Sequence, residues 1–327
     1  MHRRHFLLGF ASVGTLAACA SAEANPTDFG SWLDGVRREA RQRGLSNRAI
    51  ETALADVAPI ARVIELDRRQ PETTLTFAEY MARVVPQARI DAGRAQLAEN
   101  RELLQKVQSR FGVQPRFIVA LWAVESDFGR ITGNFQIIPA LATLAYDGRR
   151  SAFFREELFQ AIKIVDRGHV RPQDMRGSWA GAMGQSQFLP SSYLTYAVDF
   201  DGDGKADIWN SRADVFASSA NYLAKVGWRS DETWGRSVLL PIGFDSGLID
   251  YNKVQKPSAE WRALGVRLTD GGEIPAEPRL AASIVQPGGA DGPSYIVYAN
   301  YRALLRWNRS LYFATAVGYL ADQIGEV

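Results

Sequence analysis

At 327 residues, with 46% hydrophobic and 23% charged positions, the chain is long enough for two or three modules of ordinary globular composition. Its formal charge of +2 comes wholly from Arg3 and Arg4, and without the first 18 residues it holds 36 basic and 36 acidic side chains, so nothing electrostatic favours a nucleic-acid partner. The histidines are His2, His5 and His169 and the one cysteine is Cys19, which excludes a zinc centre of several His or Cys ligands, a Cys–His pair and any disulfide within the chain.

Residues 1–18 read as a signal peptide: a basic start, a short apolar run over 6–18 and small residues before Cys19. The run is too short to span a bilayer. Arg3 and Arg4 with the four residues after them resemble a twin-arginine export signal. Leu16-Ala17-Ala18-Cys19 resembles a bacterial lipobox, in which Cys19 is acylated and becomes the first mature residue; ordinary cleavage at Ala20-Ser21-Ala22 is the alternative. Residues 19–30 are small and polar, a tether. A helical module is expected over 31–112, where Trp32, Leu33, Val36 and Ala40 form one stripe and 87–111 reads as one long helix closed by Gly112. Over 113–235 helices are expected at about 115–128, 151–167 and 212–226, each with a glycine just past its end (Gly129, Gly168, Gly227). The texture then turns β-prone, with short runs at 237–240, 265–268, 280–285 and 294–299 that predict a small antiparallel module over 236–300. Residues 301–327 return to helical spacing and are expected to pack back on the centre. The fold class this predicts is mainly α (α+β).

One carboxylate stands out. Between Pro115, suited to a first helical turn, and Gly129, suited to a helix end, Ile118, Leu121, Trp122 and Glu125 recur at the spacing of one helix face. A carboxyl among large apolar side chains loses hydration, so its charged form is disfavoured and its pKa rises. An acid still protonated near neutral pH is what glycosidic cleavage requires. Asp127 lies about 200° further round on the rule of ~100° per residue, and so faces away. An ordinary Glu near a helix end is the bland alternative. With one histidine left after processing and no GxSxG pattern for a Ser–His triad, acids and aromatic rings remain, the usual equipment of carbohydrate sites.

Asp199, Asp201, Asp203, Lys205 and Asp207 follow the 1, 3, 5, 7, 9 spacing of an EF-hand loop, with Gly204 at the turn. Four acids in nine residues repel unless a cation neutralises them, and calcium suits oxygen ligands with Lys205 giving its backbone carbonyl. The twelfth position is Asn210 where the standard loop has a bidentate Glu. Gly181 and Gly184 allow either close approach of a ligand or a tight internal turn.

VESDFG (124–129), AYDGRR (145–150), SWAGAMGQSQFLPSSY (178–193) and VDFDGDGKADIW (198–209) together resemble the lytic murein transglycosylase B family, glycoside hydrolase family 103. The resemblance runs from about Phe29 to the C-terminus. It implies a lysozyme-like catalytic core and puts the family's single acid/base on Glu125. The implied reaction cleaves the β-1,4 bond between N-acetylmuramic acid and N-acetylglucosamine in peptidoglycan and leaves 1,6-anhydromuramic acid ends. Ser178 and Gln187 would line the cleft, Arg149 and Arg150 would meet carboxylate or peptide-stem groups, Tyr222 would sit near the cleaved bond and Asn308 would be the cleft asparagine. Arg149 and Arg150 also read as a solvated loop pair, and Gln187 as a buried amide bonding backbone. The family pattern has Tyr where this chain has Trp307 and Phe313, which keeps a stacking face and removes two hydroxyl donors. Asp214 would complete the calcium loop; Ser211-x-x-Asp214 also reads as a capping box. No second acid is placed, although Asp147 is a rival. The implied cofactor is structural calcium with no organic group. The partners are glycan strands, with a membrane reached only through a lipid on Cys19, for a monomer in the periplasm at the outer membrane. A non-catalytic peptidoglycan-binding lipoprotein and a lysozyme-type hydrolase are the competing readings.

Overall fold

The computed structural model describes residues 28–69, 75–277 and 279–325; the predicted signal peptide, Cys19 and most of the predicted tether lie outside them. Asp28 opens the first helix, α1 (Phe29–Gln42), by accepting from Gly30 N and Ser31 N, two donors with no partner inside the helix. Leu33, Val36 and Ala40 are buried as their spacing requires, and Trp32 stands at the margin, stacked on Phe29 and edge-on to Tyr146. There follow α2 (Asn47–Ala53), α3 (Ala61–Arg68) and α4 (Phe77–Val84), the last opened by a capping box between Thr76 and Glu79.

The single helix expected over 87–111 is two, α5 (Gln87–Glu99) and α6 (Arg101–Phe111). Asn100 breaks it: its side-chain amide donates to Gln96 O at 2.8 Å and competes with the helical ladder. Gly112 closes α6 in the left-handed conformation, φ 72°.

The central region holds α7 (Pro115–Ser126), β1 (Phe135–Gln136), α8 (Ile137–Asp147), α9 (Ser151–Asp166), β2 (Arg176–Gly177), α10 (Pro190–Tyr196) and α11 (Arg212–Lys225). Phe117, Ile118, Val119, Ala120, Leu121, Trp122 and Ala123 are all buried, so α7 is apolar around its whole circumference. The amphipathic surface helix read from the stripe is in fact a core helix, wrapped by α5, α6, α11 and the C-terminal helix.

The β module comprises β3 (Gly235–Leu239), β4 (Lys256–Pro257), α12 (Ser258–Ala263), β5 (Arg267–Leu268), β6 (Ala281–Val285) and β7 (Ser294–Val297). The four β-prone runs correspond to β3, β5, β6 and β7, while β4 and α12 had no sequence signal. The sheet is antiparallel in the order β4-β6-β7-β3-β5. Its alternation sorts side chains between two cores: Ala282, Ile284 and Ile296 face Trp261 and Val266 in the module's own core, whereas Val285, Tyr295 and Val297 join the main core. The C-terminal helical stretch is likewise two helices, α13 (Ala299–Trp307) and α14 (Leu311–Gly325). Among the described residues the chain is mainly helical with two small antiparallel sheets, the β1–β2 pair and the five-stranded one.

Candidate active site

Glu125 occupies the last turn of α7, one residue before the helix ends. Asp127 (φ 50°), Phe128 (φ 58°) and Gly129 (φ 81°) then form a left-handed turn. That conformation costs a non-glycine residue about 1–3 kcal/mol, so something must hold it. Gly129 N donates to Ser126 Oγ at 3.1 Å, Ile131 N donates to Ser126 O at 2.9 Å, and Phe128 packs edge-on to Trp122. Asp127 therefore lies outside the helix, and the rotation argument does not apply to it. Its carboxylate is held instead by Arg130 at 2.7 Å and Arg89 at 3.5 Å. Asp147, the other rival acid, pairs with Arg68 at 2.8 Å at the far end of α8.

Glu125 is half-buried. Burial pushes its pKa up to about 7, and the indole of Trp307, donating to Oε1 at 2.6 Å, pulls the other way. Trp307 ends α13, 182 positions downstream, and was read from sequence as a face that had lost a donor. It is a donor to the acid itself. Tyr80 on α4 also faces this carboxyl: burial raises the phenol's pKa first, and the charge of Glu125 adds to it. Nothing in the local sequence marks Tyr80, because its stripe reads as ordinary helix packing.

The raised pKa has a consequence for stability. An acid whose folded pKa lies above its unfolded value contributes fully below the unfolded pKa, near 4.5, and loses that contribution as pH rises through about 7. The loss approaches about 3 kcal/mol at alkaline pH. Glu125→Gln removes it, so the variant's stability relative to wild type rises between pH 5 and pH 8. Urea denaturation at both pH values measures the difference, and parallel curves would contradict the burial argument.

The other expected site residues fall into three groups. Gln187, itself at φ 49°, donates its amide to Thr132 O at 3.1 Å and Gly184 O at 2.8 Å, which matches the backbone-bonding reading. Both its donors are used; its Oε1 accepts no bond from the described residues. Ser178 accepts from Ala182 N at 3.1 Å and tightens the same segment. Gly181 and Gly184 serve internal packing: an added Cβ would lie 2.5 Å from Leu141 Cδ2 and 2.6 Å from Ile208 O respectively.

Tyr222 and Asn308 flank Trp307. The Tyr222 ring lies 4.7 Å from that of Trp307, and its hydroxyl donates to Arg306 O at 2.6 Å. Asn308 is exposed, its Oδ1 accepting from Ser310 N at 3.0 Å. Phe313, expected as a stacking face, is buried in the main core.

Arg149 and Arg150 stand apart. Both reach Asp67, at 3.2 and 2.5 Å, and that carboxylate is only 2% exposed. They pin α3 to the turn before α9. The pair is exposed, each guanidinium about half accessible, and also anchored, since a buried partner holds both.

A family model described as the transglycosylase SLT domain matches residues 28–322. The chain belongs to the SLT transglycosylase domain family. Membrane-bound lytic murein transglycosylase B of Escherichia coli is 27% identical over 304 residues, covering 88% of this chain and 81% of that protein. SltB3 from Pseudomonas aeruginosa, solved with NAG-NAM-pentapeptide and with NAG-anhNAM-pentapeptide, superposes with a TM-score of 0.88 at 42% identity, covering 92% of this chain and 80% of SltB3. The Escherichia coli lytic transglycosylase Slt35, solved in complex with calcium, superposes at 0.75 with 26% identity, covering 92% and 93% of the two chains.

Within this SLT domain the acidic loop folds round a common centre. Asp199 accepts from Gly202 N at 2.7 Å and Gly204 N at 2.9 Å, and Ser211 Oγ donates to Asp201 at 2.7 Å. Asp199, Asp201 and Asp214 each bring a carboxylate oxygen within 4.8 Å of the others. Asp203 is outside that trio and accepts from Lys205 N at 2.8 Å. Asp214 is fully buried, accepting from Phe200 N and Asp207 N at 2.7 Å each, and burial raises its pKa, with the charge of Asp201 adding to the shift. Ser211 caps α11 by accepting from Asp214 N. The capping box is only half made, because the Asp214 carboxylate turns into the loop. Three converging carboxylates, one of them buried, offer the hard oxygen donors calcium favours.

Proposed function

We propose that this protein is a lytic transglycosylase that cleaves the β-1,4 bond between N-acetylmuramic acid and N-acetylglucosamine in peptidoglycan and leaves 1,6-anhydromuramic acid ends. The observation that carries this reading is Glu125, a carboxyl poised near neutral pH by burial, with neither Asp127 nor Asp147 free to act beside it. As an acid, Glu125 protonates the leaving oxygen; as the resulting carboxylate, it takes the proton from the sugar's own C6 hydroxyl while that oxygen closes on C1. A two-carboxylate glycosidase instead needs a partner about 5–10 Å away to activate water or form a covalent link. The N-acetyl group of the substrate shares the positive charge at C1. The ligands bound to SltB3 support this substrate class. Mass spectrometry of digested sacculi is the test: anhydro ends are expected, and reducing ends heavier by one water would assign a lysozyme-type hydrolase.

The half-buried Oε1 of Gln187, the hydroxyl of Ser178 and the amide of Asn308 supply polar contacts to the sugars, and Tyr222 backs the aromatic wall. The exposed sides of Arg149 and Arg150 meet carboxylates of the peptide stem while Asp67 holds the guanidinium planes in place. Arg149→Ala is expected to raise KM about 3- to 10-fold on strands carrying peptide stems and to leave KM on amidase-stripped strands unchanged. Equal effects on the two substrates would assign the pair a purely structural role.

Calcium is the cofactor of the 199–214 loop in this reading, with Asp199, Asp201, Asp203, Asp214 and the Lys205 carbonyl as ligands, and its role is structural. Export to the periplasm and a lipid on Cys19, held at the outer membrane, complete the proposal for a monomer. No helix of the described residues is long and apolar enough to cross a membrane.

A further inference from the structure

The bond between Trp307 and Glu125 says more than that the acid has a neighbour. An indole N–H donates and has no lone pair with which to accept. It donates to Oε1 of Glu125 at 2.6 Å. In a protonated carboxyl the carbonyl oxygen is the better acceptor, so the oxygen that receives the indole hydrogen is the one without the proton. A tyrosine in the same place donates or accepts, and leaves both arrangements open.

The indole is not free to turn away. Its ring centroid lies 5.2 Å from that of Phe188 and 4.7 Å from that of Tyr222, and Tyr222 itself packs 4.3 Å from Tyr196. The Tyr222 hydroxyl donates to the carbonyl of Arg306, the residue before Trp307, at 2.6 Å. Aromatic walls and a backbone anchor thus hold both the ring and the chain that carries it.

We propose that Trp307 is a positioning residue for the acid: its indole N–H confines the carboxyl proton to Oε2 of Glu125 and steadies the carboxylate left once that proton has gone. The inference rests on the proposed role of Glu125. In the first half-reaction the C1–O bond breaks and the proton on Oε2 moves to the leaving oxygen. In the second, the C6 hydroxyl gives its proton back to Oε2 as its oxygen bonds to C1. Oε1 stays bound to the indole throughout, so both transfers use one oxygen and one direction. A bond that favours the charged form also offsets the burial that favours the neutral form, which suits a group that must give up and regain a proton in one cycle.

The other titratable and charged groups on this side are Tyr80 from α4, Arg89 from α5, Asp127 after α7, Tyr222 from α11 and Tyr312 from α14. Arg89 and Asp127 face each other, Tyr80 packs on Tyr312, and Tyr222 is spent on the backbone. Among the described residues the side-chain hydrogen bond to the Glu125 carboxyl comes from Trp307 and from none of these groups.

Rates on purified glycan strands across pH 5–9 test the proposal with Trp307→Phe, Trp307→Tyr and Glu125→Gln. Trp307→Phe is expected to lower kcat about 10- to 100-fold with KM changed less than about 3-fold, and to move the alkaline limb upward by roughly one pH unit. Trp307→Tyr, which restores a donor, brings the limb back towards wild type and recovers part of kcat. A limb that stays at its wild-type position in Trp307→Phe, or a loss confined to KM, would overturn the inference while leaving Glu125 as the acid. Wild-type turnover by Glu125→Gln would overturn the reading beneath it. If Trp307→Phe does not fold, nitrogen-15 NMR of the wild-type indole decides: an Nε1–H shift that titrates together with the Glu125 carboxyl supports the bond's role, and one that stays fixed across pH 5–9 overturns it.

Discussion

Glu125→Gln is expected to lower kcat on sacculi by about 10³- to 10⁴-fold, the upper range for a group that serves as both acid and base. The substitution keeps the volume of the side chain and still accepts the Trp307 N–H, so the aromatic wall of Phe188, Tyr222 and Trp307 stays in place. What it removes is the transferable proton. Because the carboxyl is disfavoured as an anion by burial, the variant folds at least as well as wild type at pH 8, and lost activity cannot be blamed on lost structure. Strand binding should persist, so a sacculus pull-down with the variant separates binding from cleavage. Equal digestion by variant and wild type would return the protein to the non-catalytic class.

The second large effect concerns the acidic loop. Calcium at one hundred times its Kd is expected to stabilise the fold by about 2.7 kcal/mol, and a chelator to reverse that gain. Asp214→Ala should abolish the response and lower stability further, because Phe200 N and Asp207 N both depend on that buried carboxylate. Leaving a buried donor unmatched costs about 1–3 kcal/mol each. Asp203→Ala, at an exposed position outside the trio of converging carboxylates, should weaken the calcium response with much less effect on the metal-free protein. Scanning calorimetry with calcium and with chelator reads both. An unchanged melting temperature in wild type would argue that the loop holds its shape by its own hydrogen bonds.

These two centres were legible for different reasons. The loop is local: its acids are spaced so that a single turn brings Asp199 and Asp201 together, and only Asp214 had to come from the next helix. Glu125 was visible because an acid interrupts an apolar periodicity, although the periodicity was read as one helix face when α7 is buried all round over 117–123. The breaks at Asn100 and at Asn308–Ser310 were invisible because each is made by an asparagine side chain bonding to nearby backbone, a geometry that periodicity does not encode.

Sequence by itself determined the mainly helical class, four of the strands, the placing of Glu125 on an apolar stripe and the run of spaced acids over 199–207, all features that depend on spacing within a few turns of chain. Only the tertiary structure decided what acts on that acid. Trp307 arrives from 182 positions away and Tyr80 from a separate helix, while Asp67 occupies the two arginines from a third. The physical reason is that desolvation and hydrogen bonding depend on which surfaces meet after folding, and no local pattern carries that information.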